Sequence, residues 1–117
     1  MDITPEQANA IRKECGEHIA RRNLLDRLEK NPDFQSFIKT YLEDEPVRLV
    51  HLYGEPSMNL NEKRELHREE IHERLIGIAR FAEHLRGIHM IASQAEKQLE
   101  DLQKAEAEAV SEMETVE

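Results

Sequence analysis

The fold is decided by the stretch IHERLIGIARFAEHL, Ile71 to Leu85. Its apolar positions Ile71, Leu75, Ile78, Ala82 and Leu85 recur in alternating steps of four and three, the spacing of one helix face. Ile88, Ala92, Ala95, Leu99 and Leu102 carry the stripe on after one slip in phase. A strict heptad would place His89 and Glu96 in the seam, so the pattern predicts an imperfect, coiled-coil-like helix rather than a clean zipper. Working outward, no proline intervenes between Asn59 or Asn61, the two candidate starts, and about Val110. Such a helix would run roughly 75 Å if straight, at about 1.5 Å per residue. Gly77 and Gly87 are its possible bend points. Ile76, Phe81, Met90 and Ile91 lie off the main stripe, so this helix carries more apolar surface than one face needs. One side is expected to pack on a Phe34–Tyr53 helical hairpin, and the other on the first helix or on a second subunit.

Upstream, Thr4, Pro5 and Gln7 form a start signal: a cap, a first-turn proline and the T-x-x-Q capping box. Ala8, Ile11, Cys15 and Ile19 follow at helical spacing, and Leu24, Leu25 and Leu28 extend the stripe. The helix should stop near Lys30, because residues before Pro32 avoid the α region. Asn31-Pro32-Asp33 restarts it, with Asn31 as cap. Phe34, Phe37, Ile38, Tyr41 and Leu42 then give the best amphipathic match in the chain. In a continuous helix the ring of Pro46 would clash with the Leu42 carbonyl, which predicts a break or kink at Asp44-Glu45-Pro46. A short helix from Pro46 to Tyr53 follows, with Gly54 as terminator and Glu55-Pro56-Ser57 as loop. The expected architecture is all-α: short N-terminal helices packed on one long C-terminal helix.

Composition agrees. Of the 117 residues, 35% are charged and 38% hydrophobic, with only four Gly, four Pro and no Trp, which favours long helices over turn-rich sheets. A single cysteine, Cys15, offers no internal disulfide, and no signal peptide or membrane-spanning run is visible. The net charge is −9. From Glu96 onward eight acids face only Lys97 and Lys104, so this segment holds −6. That charge shift suggests a helical body over 1–95 and an acidic projecting helix end or frayed tail over 96–117. Acidity of this kind opposes binding to phosphate backbones. Arg12, Arg21, Arg22 and Arg27 on the first helix are interleaved with acids and lack stacking aromatics.

Three side-chain combinations invite chemistry. Glu69-x-x-His72 has the spacing of a di-iron ligand pair, but such a site needs a second pair and two further glutamates, and none matches. His67 and His72 sit about 140° apart around a helix and do not share a metal easily. Cys15 and His18 share a helix face, yet nothing supplies an orienting group or an oxyanion hole, and Cys15 lies on the apolar stripe. Phosphate loops, nucleophile elbows and zinc spacings are absent. The expectation is a protein without catalytic residues, metal or cofactor.

The stretch Leu24-Leu25-Asp26-Arg27-Leu28-Glu29-Lys30-Asn31-Pro32-Asp33-Phe34 continues through Tyr41-Leu42-Glu43-Asp44-Glu45-Pro46-Val47-Arg48-Leu49 to the Gln/Glu/Ala-rich segment from Ala92 to Ala109. Together these resemble small helical proteins encoded among the virion-structure genes of tailed bacteriophages, Asn31-Pro32-Asp33-Phe34 being the most distinctive piece. The likeness covers roughly residues 24 to 110 and contains no catalytic motif. It implies a virion structural or assembly protein, in the virion or the host cytoplasm, bound to capsid, portal or neck proteins. A homo-oligomer or a place in a larger assembly is expected, with no direct contact to nucleic acid or membrane. The residues expected to bind protein are Phe34, Phe37, Tyr41, Leu49, Tyr53, Leu75, Ile78, Phe81, Leu85 and Ile91. The competing expectation is a small acidic regulatory or inhibitory protein that occupies a basic groove on a host protein.

Overall fold

The computed structural model describes residues 3–60 and 62–116, with side chains as far as Glu114. Asn61, one of the two expected starts of the last helix, and Glu117, the last acid, lie outside the described residues. The chain is all-α, with no strand among the described residues. Its helices are α1 (Pro5–Glu29), α2 (Pro32–Lys39), α3 (Glu45–Tyr53), α4 (Pro56–Asn59) and α5 (Arg64–Val116), and a π-helical turn (Thr40–Asp44) joins α2 to α3. The long C-terminal helix packs on the shorter N-terminal ones. No described helix is long and apolar enough to cross a membrane.

Local chemistry sets the helix ends. At the start of α1 the Gln7 amide nitrogen donates to Thr4 Oγ1 at 3.1 Å, and the Thr4 amide donates back to Gln7 Oε1 at 3.0 Å. Both orphan donors of the capping box are thereby satisfied. Asn31 adopts an extended backbone and its Oδ1 accepts from the amides of Asp33 (2.9 Å) and Phe34 (3.1 Å), capping α2.

Of the expected break or kink at Asp44-Glu45-Pro46, the break does not occur: a π-helical turn precedes Pro46. The Glu45 amide donates to the Thr40 carbonyl, five residues back, and Asp44 and Glu45 both keep right-handed helical backbone. One widened turn moves the Leu42 carbonyl out of the path of the proline ring, so the helix continues where sequence rules predicted an interruption. Gly54 also behaves differently from a left-handed terminator: its φ is −87° and ψ 0°. A Cβ there would meet only ordinary contacts. The stop comes from Pro56, which holds Glu55 extended. The expected loop at 55–57 is largely a single helical turn, α4, with Pro56 in its first position. α5 runs unbroken through Gly77 and Gly87 and ends later than expected.

The chain forms two compact units. One comprises residues 26–86. Its core is Leu49, Ile71 and Ile78, with Leu42, Leu52, Met58 and Leu75 packed around them. Tyr41 and Phe81 meet edge to face, with ring centroids 5.7 Å apart and planes at 84°. Arg48 Nε donates to Glu45 Oε2 at 3.0 Å on α3. This hydrogen bond is the main cause that lowers the Glu45 carboxyl pKa; desolvation opposes it, and the charges of Arg48 and Arg74 add smaller lowering effects.

The other unit joins residues 1–25 to residues 87–117. Ala8, Cys15 and Leu25 of α1 and Ala92, Ala95 and Leu102 of α5 are buried. Small side chains on both helices allow close approach. Arg12 pairs with Glu106 and Arg22 with Glu96, and Cys15 Sγ lies 3.5 Å from Gln98 Oε1. The slip in the α5 stripe, between Leu85 and Ile88, brackets the boundary at 86/87. Each unit therefore draws on its own run of apolar positions. The division suggested by charge at residue 95 falls inside this second unit: Ala95 and Leu102 are buried, and the acids Glu96 and Glu106 answer α1 arginines. From Gln103 to Glu114 every residue is exposed.

Candidate interaction surface

Among the described residues, the large apolar side chains left in solvent outnumber those in the core. Leu24, Leu28, Phe37, Tyr41, Val47, Val50, Tyr53, Leu60, Leu66, Phe81, Met90, Ile91, Val110 and Met113 are exposed. The large buried ones are Leu25, Leu49, Ile71, Ile78 and Leu102, and only Leu49 is fully enclosed. Single exposed apolar residues are ordinary on protein surfaces. Here they are concentrated along one segment, between Phe37 and Leu66.

The residues singled out from the sequence divide into three groups. Leu49 (0% exposed) and Ile78 (6%) are core residues. Phe34, Leu75 and Leu85 are half-buried. Phe37 (69% exposed), Tyr41, Tyr53, Phe81 and Ile91 are exposed. Tyr41 and Phe81 are brought together, as described above, whereas Ile91 belongs to the other unit. The side chains inside and outside share the same helical spacing, which is why periodicity did not separate them.

Within the unit of residues 26–86, α3 and α5 enclose an open groove of about 560 Å³. Val50 and Tyr53 form the α3 wall, and Glu65, Arg68, Glu69, Ile71, His72 and Leu75 the α5 wall. The Arg68 guanidinium lies 5.2 Å from the Tyr53 ring centroid, a cation–π arrangement that ties the two walls together. Its Nη2 also donates to Asn59 Oδ1, while its Nε is buried without a hydrogen-bond partner. Of these lining residues only Tyr53 and Leu75 were expected to bind protein. Val50 belongs to the apolar run Val47, Leu49, Val50, Leu52 and Tyr53 of α3. Arg68, Glu69 and His72 lie in the charged run from Glu62 to Arg74, which carries no apolar signal beyond Leu66 and Ile71.

Glu69 and His72 therefore line a groove wall next to a guanidinium, and that cation disfavours a second cation among them. Cys15 is buried at the α1–α5 seam of the other unit. His18 Nε2 lies 3.9 Å from Glu14 Oε1 on the same helix. No family model, curated protein or solved structure matches the chain.

Proposed function

We propose that the protein is a non-enzymatic bacteriophage virion structural or assembly protein that binds capsid, portal or neck proteins through its helical surfaces. The observation that carries this reading is the surplus of exposed apolar side chains, led by Phe37, Val47, Val50 and Tyr53, over a core in which Leu49 is the one large side chain fully enclosed among the described residues. A chain so built gains stability from whatever covers those side chains, as assembly components do. The likeness of residues 24–110 to small virion-module proteins supplies the concrete setting.

Two measurements test it together: the solution mass of the purified protein, and quantitative proteomics of native particles and their assembly intermediates. The expected result is a defined oligomer or a stoichiometric presence in particles or intermediates. A monomer at all concentrations, absent from both, would overturn the reading. The alternative, an acidic inhibitor of a host protein, draws on exposed Glu108 and Glu114 at the end of α5. It is weakened because Glu96 and Glu106 already answer Arg22 and Arg12. Removing residues 104–117 would abolish such inhibition and leave binding through the 26–86 unit intact.

A further inference from the structure

We propose that α2 is a strap that opens by itself: residues 32–41 come away from the rest of the 26–86 unit while the core of Leu49, Ile71 and Ile78 stays folded, with the π-helical turn as the hinge. This behaviour follows from how the unit is held together and needs none of the functional reading above.

Burial comes first. Neither α2 nor the π-helical turn contains a buried side chain. Phe34 and Ile38 are half-buried and Phe37 is 69% exposed, so the apolar residues of α2 never leave solvent completely. The core lies on α3 and α5 and includes no residue of α2. An eight-residue helix without such burial has little to hold it, since helices shorter than about 12–15 residues are marginal on their own. The attachments are also exposed. Gln35 Nε2 donates to the Glu29 carbonyl at 2.6 Å from an exposed side chain, and beyond the other end of α2 Tyr41 meets Phe81 edge to face. Tyr41 and Phe81 are each 38% exposed. Segments with few buried apolar contacts and solvent-exposed hydrogen bonds are those that open locally. The junction supplies the hinge. Pro46 has no N–H, so it returns no backbone bond across the π-helical turn. The Thr40 hydroxyl donates to the Ser36 carbonyl at 3.0 Å, a back-bond that bends a helix and slightly weakens it. Leu42, two residues on, packs against the core, so opening stops there. The open state parts Tyr41 from Phe81 and turns Phe34, Phe37 and Ile38 out as one mobile apolar segment.

The test is native-state hydrogen exchange of the full-length, isotope-labelled protein in rising, sub-denaturing urea, read amide by amide. The amides of Phe37, Ile38 and Lys39 should exchange roughly 100-fold or more faster than those of Ile71 and Ile78, and with little dependence on urea, because their opening exposes little surface. Leu49→Ala separates local from global opening, since Leu49 stays packed in the open state. It should speed the Ile71 and Ile78 amides by roughly 30- to 150-fold and leave those of α2 within about 2-fold of wild type. Should that variant not fold, the wild-type rates and urea slopes decide by themselves. Rates and slopes for α2 that match those of Ile71 and Ile78, or an acceleration of α2 by Leu49→Ala as large as theirs, would overturn the proposal.

Discussion

Replacing Leu49 by alanine removes the one fully enclosed side chain of the 26–86 unit, and the loss follows from its surroundings. Leucine-to-alanine changes in cores cost about 2–5 kcal/mol, the upper values applying where neighbours cannot close the cavity. Here Leu42, Leu52, Met58 and Leu75 are only partly buried and have room to move inward. The lower part of the range applies, about 2–3 kcal/mol. A unit of about sixty residues has a total stability of only about 3–9 kcal/mol. The variant should therefore lose a large share of it, lowering Tm by about 10–20 °C. Val50→Ala, one residue along and 59% exposed, should cost less than about 0.5 kcal/mol. Thermal and urea unfolding followed by circular dichroism compares the two. A Leu49→Ala variant that loses under about 1 kcal/mol, or no more than Val50→Ala, would refute the assignment of the core and of α3's orientation.

Asn31→Ala should destabilise α2 by about 1 kcal/mol, since Asn31 Oδ1 accepts from two amides, while Asn31→Asp should be nearly neutral; urea midpoints measure both. Cys15 is buried and should resist a thiol-reactive dye in the folded protein, reacting fully once denaturant opens the α1–α5 seam; immediate labelling would contradict its placement. The Glu45 pKa is lowered by folding, so the contribution of this carboxylate is complete above the ordinary carboxylate pKa and disappears as pH falls through the lowered value. Wild type and Glu45→Gln should thus differ in thermal stability at pH 7 and converge in strong acid, and a difference that grows on acidification would reverse the sign of this argument.

The starts of α1 and α2 and the class of fold were legible in the sequence because they depend on neighbours in the chain, whereas α5 begins at Arg64, later than either expected start. Thr4, Gln7 and Asn31 cap whatever helix follows them, since the donors they satisfy lie within three residues. Pro32 and Pro56 constrain the residue ahead of them by direct contact, and the Ile71–Leu85 spacing places its side chains on one side of any helix. The groove was only half legible: Tyr53 and Leu75 stood out as apolar, while Arg68 entered through a ring and an amide contributed by other segments.

What the sequence by itself determined is therefore local: that the chain is helical, where its first helices begin, and which side chains are apolar. Tertiary structure alone decided which of those apolar side chains are covered. Leu49 and Phe37 both sit on amphipathic stretches, yet one is sealed against Ile71 and Ile78 and the other stands in solvent. It also decided that Pro46 is absorbed by a widened turn, and that α5 serves α3 in one unit and α1 in the other. The physical reason is that capping and backbone sterics act over a single turn. Burial depends on which surfaces, distant in sequence, arrive to exclude water.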